Sequence, residues 1–285
     1  MKTPLTFMIL LVLIAALLVA GCTQNPASQQ PAHQAAQPTD TIGVSTSQLG
    51  NILVDGQGNT LYYFAADTPA SGTSTCTGSC AGIWPIFYSD TITVSPPLMA
   101  SDFSSIIRAD GRSQTTYRGW PLYYFQGDTK AGDTSGENVN KDWFVVKPDE
   151  TVMIAKSSSL GLFLTDRMGN TLYYFAKDTP GTSACTGACL AKWPAFNAGS
   201  VSAPSVLDPA DFGSLTRTDG TNQTTFMGRP LYYFTNDTKP GDTNGQGFNN
   251  LWSVANITGT LPAAPSPAST TVIPTASMTS NGESY

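Results

Sequence analysis

The sequence predicts an all-β protein made of two tandem copies of a small antiparallel module, each copy itself an internal duplication. Three observations carry this expectation. The string Leu-Tyr-Tyr-Phe-x-x-Asp-Thr occurs four times, beginning at Leu61, Leu122, Leu172 and Leu231. Matching landmarks stand 109 residues apart: Cys76 and Cys185, Arg108 and Arg217, Tyr123 and Tyr232, Trp143 and Trp252. Between them, short runs of β-branched and aromatic residues alternate with turns rich in Gly, Asn and Asp, and no amphipathic helical pattern intervenes. Such strands pack as a small sandwich or barrel, or as propeller-like blades around one axis.

The elements follow in order. Lys2 is the only charge ahead of a largely apolar stretch, Leu5 to Ala20. That stretch is shorter than the ~20 residues a spanning helix needs. It has the length and small-residue ending of a secretory signal, so residues 1–21 are expected to be a signal peptide. The ending, Leu18-Val19-Ala20-Gly21-Cys22, resembles the lipobox of prokaryotic lipoproteins. The resemblance implies cleavage before Cys22 and lipid on its thiol, hence a chain held to the outer face of the cytoplasmic membrane or cell surface. Residues 22–42 and 259–285 are Pro-, Ser-, Thr-, Ala- or Gln-rich and read as an anchor-plus-linker and a disordered tail. Residues 43–150 and 151–258 are the two modules.

Within the first module, Ile52 to Val54 and Thr60 to Phe64 flank a Gly-rich turn and read as a hairpin. A second hairpin runs from Ile106 through Asp110-Gly111 to Tyr117. Leu122 to Phe125 follows Pro121, and Trp143 to Val146 closes the module. The second module repeats this plan, with Leu162 to Leu164 and Thr171 to Phe175 as its first hairpin.

At the fourfold motif the chain resembles the secreted-repeat lipoproteins with a Tyr-x4-Asp motif, a bacterial and archaeal family of tandem repeats without a known function. The residues that carry the resemblance are Tyr62, Phe64 and Asp67; Tyr123, Phe125 and Asp128; Tyr173, Phe175 and Asp178; and Tyr232, Phe234 and Asp237. It implies export and a repeat architecture, and no activity.

Each motif has a functional and a plainer reading. On a strand, Tyr62 and Phe64 share one face while Leu61 and Tyr63 share the other. The aromatics serve either as a platform for sugars or quinone-like rings, or as core. Asp67 and its counterparts are expected to hold the following turn as Asx residues. A calcium site would need converging oxygens, and only Asp128 with Asp133 and Asp237 with Asp242 bring two acids close. The cysteines outside the lipobox, Cys76/Cys80 and Cys185/Cys189, are read as local structural disulfides in an exported chain. A redox-active dithiol and a four-cysteine zinc site are the alternatives. Asn222, Asn236 and Asn256 fit the glycosylation acceptor pattern.

Charge and composition narrow the function. Only 12% of residues are charged and the net charge is −6. No basic patch suggests nucleic acid as a partner. The single histidine, His33, falls in the linker, which removes His-based triads and metal sites. The expectation is a non-enzymatic, cofactor-free binding or scaffolding module of the envelope, tied to the membrane by lipid and meeting an envelope protein or glycan. The alternative is an extracytoplasmic redox or electron-transfer accessory using its aromatic residues or cysteine pairs.

Overall fold

The computed structural model describes residues 41–257. The expected signal peptide, Cys22, most of the linker and the tail lie outside them. The described residues are mostly β, in small antiparallel sheets with two five-residue helices, and they form no closed barrel.

The first half contains β1 (Ile42–Ser47), β2 (Gly50–Asp55), β3 (Tyr62–Phe64), α1 (Ser79–Ile83), β4 (Phe103–Ile107), β5 (Ser113–Tyr117), β6 (Trp120–Pro121) and β7 (Trp143–Val145). The second half contains β8 (Val152–Ser157), β9 (Gly161–Asp166), β10 (Tyr173–Phe175), α2 (Ala188–Lys192), β11 (Phe212–Thr216), β12 (Asn222–Phe226), β13 (Arg229–Pro230) and β14 (Trp252–Val254). Strand β1 pairs with β2, β4 with β5, and β5 with β6; β8–β9 and β11–β12–β13 pair alike.

The hairpin expected across residues 52–64 is only partly one. Val54 bridges Thr60 and Leu61 N–H donates to Leu53 O, but β2 takes β1 as its full partner. The sequence reading missed β1, whose Thr and Ser residues dilute the apolar signal. Strand β3 pairs instead with β7, Phe64 opposite Trp143, across nearly the whole first half. Single-residue bridges extend that pair: Tyr62 meets Tyr123, and Tyr123 meets Ile86. The centre of the half is thus a ladder of four short extended segments, flanked by the hairpins. In the second half β10 pairs with β14, Tyr173 meets Tyr232, and Tyr232 meets Ala195.

This placement explains why both faces of the Tyr-Tyr-Phe strand are bulky. Leu61 and Tyr63 enter one apolar cluster with Trp120 and Phe144, which continues through Ile154, Phe163, Tyr174 and Phe226 of the second half. Tyr62 enters another with Trp84, Tyr123, Trp143 and Cys76.

The halves meet through a specific joint. Lys156 N–H donates to Ala65 O at 2.7 Å, Ile154 N–H to the Tyr63 hydroxyl at 3.3 Å, and Trp120 Nε1 to Arg167 O at 3.3 Å. Lys156 pairs with Asp142 at 2.7 Å. Pro69 lies so close to Gly169 that a Cβ there would come within 2.1 Å of its Cγ; a Cβ on Gly241 would come within 2.5 Å of Thr68 Cγ2. Glu150, at the end of the first module, is buried in the segment between β7 and β8, 1% exposed.

Candidate functional site

The four motif copies are joined two by two. Tyr62 N–H donates to Tyr123 O at 2.8 Å and Tyr123 N–H returns to Tyr62 O at 3.0 Å. From that bridge the side chains cross. The Tyr62 hydroxyl donates to Asp128 Oδ2 at 2.7 Å, and the Tyr123 hydroxyl donates to Asp67 Oδ2 at 2.5 Å. Each tyrosine is therefore held by the other copy's aspartate. Tyr173 donates to Asp237 at 2.6 Å and Tyr232 to Asp178 at 2.7 Å, in the same crossed manner.

The other carboxylate oxygen closes a loop. Asp67 Oδ1 accepts from Thr75 N–H at 2.6 Å and the Thr75 hydroxyl at 2.8 Å. Asp128 accepts from Ser135 N–H, Asp178 from Ala184 N–H and Asp237 from Asn244 N–H. The short Asx turns expected at these positions are thus replaced by loops of six to eight residues. Burial raises the carboxyls of Asp67 and Asp178, against the hydrogen bonds that favour ionisation. It also drives the phenols of Tyr62 and Tyr123 far above their ordinary value, helped by the facing aspartates. A phenol that stays protonated opposite a carboxylate is a fixed donor–acceptor pair.

Around each pair of tyrosines four rings stack. Phe125 lies 4.4 Å from Trp84, Trp84 lies 3.8 Å from Trp143 with planes 2° apart, and Trp143 lies 4.2 Å from Phe64. The second column runs Phe234, Trp193, Trp252, Phe175 at 4.1, 3.7 and 4.3 Å. Again each Phe of a motif stacks on the Trp that follows the other motif copy. Tyr123 meets Trp143 edge-on, and Tyr62 meets Trp84 edge-on. Gly136 lies flat over this assembly: a Cβ would come within 2.8 Å of Tyr62 and 2.9 Å of Trp84.

Cys76 is bonded to Cys80 and Cys185 to Cys189, each pair with Cα atoms 5.3 Å apart and a short helix starting within the loop. Arg108, 4% exposed, donates to Cys76 O and to Gln114 Oε1; Arg217 donates to Cys185 O at 2.5 Å, to Ser183 at 2.7 Å and to Gln223 Oε1. Sequence reasoning used these arginines only as landmarks. Two bases at matching positions in a charge-poor chain were the signal that they serve the disulfide loops. It also missed Asp55 and Asp166, which hold their own turns and accept from Tyr124 and Tyr233 at 2.8 and 3.0 Å.

The acids considered for calcium take separate tasks. Asp133 Oδ2 accepts from Thr129 and Lys130 N–H, and Asp242 Oδ2 from Thr238 and Lys239 N–H, while Asp128 and Asp237 face their tyrosines. Among the described residues no group of three or more His, Cys, Asp or Glu side chains is placed to hold a metal, and no helix is long and apolar enough to cross a membrane.

The arrangement is that of a repeat protein whose signature residues bind repeat to repeat. The chain belongs to the family described as a secreted repeat of unknown function, matching it over residues 43–87, 104–147, 155–197 and 213–256, more than half its length. Neither the curated proteins nor the solved structures contain a match to it.

Proposed function

We propose that this secreted repeat protein is a non-catalytic binding or scaffolding module, two duplicated β modules carried at the outer membrane face by lipid on Cys22. One observation carries the reading: the first tyrosine of all four motif copies turns inward, and each is held by another copy's aspartate. Tyr62, Tyr123, Tyr173 and Tyr232 are each 0% exposed, and their hydroxyls face the partner copy's aspartate rather than a cleft. Chemistry repeated in mutually satisfied pairs supports a rigid body, which leaves its outer surface for an envelope protein or glycan.

The anchor is tested by changing Cys22 to Ser. The variant is expected in the culture medium or soluble fraction; a chain that stays membrane-bound after a salt wash overturns lipid anchoring. The binding role is tested by cross-linking the native chain in intact envelopes. A defined partner or glycan adduct supports it, and turnover of any envelope substrate by the purified chain overturns it.

The four-ring columns favour a second reading, an electron-transfer accessory. A visible-range chromophore in the purified chain, or disulfides that exchange with mild thiols, would select it.

A further inference from the structure

The joint between the halves uses one surface of each, and among the described residues nothing covers the other surface of each. From the first half the joint takes the Thr68-Pro69 end of the motif, with Pro69 buried. From the second half it takes the glycine turns at Gly169 and Gly241, where Gly241 N–H also donates to Gly169 O. The counterpart of Thr68-Pro69 in Leu-Tyr-Tyr-Phe-x-x-Asp-Thr-Pro is Thr179-Pro180, and both residues are exposed. The counterparts of Gly169 and Gly241 are Gly58 and Gly132. Gly132 N–H donates to Gly58 O at 3.0 Å, so these turns keep the same local contact. A Cβ on Gly132 would meet nothing within 4 Å, and one on Gly58 only Ala131 of its own half. Beside Gly58 opens a depression of about 380 Å³ bounded by Asp55, Gln57, Asn59, Thr60, Tyr124 and Asp128.

Thus each chain exposes one knob, at Pro180, and one socket, at Gly58 and Ala131, of the kind already joined inside it. The two ends differ at one further position. In the joint, Trp120 donates its indole N–H to the carbonyl of Arg167. At the exposed end Arg229 stands in Trp120's place, and its Nη1 is enclosed without a hydrogen-bond partner.

We propose that copies of this chain associate head to tail, the Thr179-Pro180 end of one seated on the Gly58–Ala131 face of the next. Such an interface is heterologous: its two sides differ, so it propagates without closing unless the rotation per step completes a ring. It continues the nearest-neighbour packing of a repeat array, whose ends stay competent to add repeats unless capped. The proposal deepens the scaffolding reading and rests on it. Membrane tethering would raise the local concentration of copies and so favour even a weak contact.

The test uses full-length chains in detergent solution and on vesicles at increasing surface density. Two variants are made, Ala131→Cys and Pro180→Cys, and mildly oxidised alone and as a 1:1 mixture. The expected result is disulfide-linked dimer in the mixture in roughly tenfold excess over either variant alone, because only the two unlike faces meet in a heterologous contact. A chain carrying both changes should give a ladder of higher oligomers. Dimer from Ala131→Cys alone in equal amount would show a twofold interface and overturn the proposal, as would no dimer at any density. A second measurement covers variants that misfold: unsubstituted chain is sedimented beside Pro180→Asp, which touches nothing in the internal joint. Concentration-dependent association lost in Pro180→Asp supports the proposal, and a monomer throughout overturns it. Neither failure would touch the scaffolding reading itself, which stands or falls on partner capture and the lack of turnover.

Discussion

Pro69 and Pro180 occupy the same place in the same nine-residue string, yet one is buried and the other exposed. The same contrast runs through the two halves. Glu137 and Gln246 each accept from a strand N–H, of Val145 at 2.7 Å and Val254 at 2.8 Å, but only Glu137 also takes a bond from across the joint, the Ser205 hydroxyl. Lys147 reaches across to Ala203 O at 2.9 Å, whereas Asn256 at the matching position reaches Leu160 O in its own half. Trp120 gives way to Arg229. These substitutions fall where the surroundings differ, while the motif tyrosines and aspartates, the four stacked tryptophans and the disulfides are kept. The motif builds a half and the substitutions decide which side of the half is inside.

The largest effect should fall where the halves are alike. Trp84→Ala and Trp193→Ala each remove the centre of a column and should each cost about 3–5 kcal/mol. Unfolding in guanidinium would check that the two losses agree; a clear inequality would mean that the columns are not equivalent. Next comes the joint. Gly169→Ala and Gly58→Ala both place an alanine at positive φ, +84° and +87°. Only the first also meets Pro69, so it should be the more destabilising by about 1–3 kcal/mol. Equal losses would deny that the joint persists in solution.

The crossed pairs sharpen the comparison within a half. Tyr123→Phe leaves Asp67, 3% exposed, short of its donor, while Tyr62→Phe does so to the more open Asp128. Both should cost about 1–3 kcal/mol, Tyr123→Phe the more, since a buried group left unsatisfied bears its full desolvation. A smaller loss for Tyr123→Phe would contradict the burial order.

The smallest effect at any one pH step is a slope with pH. Burial pushes the carboxyl of Glu150 well above its ordinary value; Lys147 pulls it down, and Glu137 and Asp149 push it up. Its charge also opposes ionisation of the buried phenol of Tyr63. Because the folded value is the higher one, this group's contribution is full in acid and is lost as pH rises from the ordinary glutamate range toward the folded value. The loss should not exceed ~1.4 kcal/mol per pH unit. Thermal unfolding between pH 5 and 8 should show that slope flattened in Glu150→Gln, and an unchanged slope would assign it elsewhere.

Much of this was legible in the sequence, for physical reasons. Tyr62 and Tyr63 point to opposite faces because a strand alternates, and the bulk on both faces required cover on both. The hairpin from Ile106 to Tyr117 was visible because β-branched runs flank Asp110-Gly111, although its first strand begins three residues earlier, at Phe103. The partner of β3 was not, because β7 lies some eighty residues away and nothing local fixes that register. The crossing of tyrosine to aspartate was invisible for a related reason. A string in which Tyr and Asp lie five apart suggests a contact within itself, and only the pairing of two copies shows that each finds its partner in the other. The burial of Glu150 was not legible either, because an acid in a short connection, next to Asp149, looks like solvent-facing loop until the halves close over it.

The crossed hydrogen bonds also govern the order in which the chain can become ordered. Tyr62 waits for Asp128, 66 residues later, and Thr60 for the carbonyl of Asp133, 73 residues later. A single repeat emerging first has neither acceptor, nor the second indole of its column. Contacts of such sequence separation slow folding, since loop closure must precede reward. The repeats are therefore expected to stay unstructured one at a time and to lock in twos, a useful property in a polypeptide that must be threaded across a membrane before it sets.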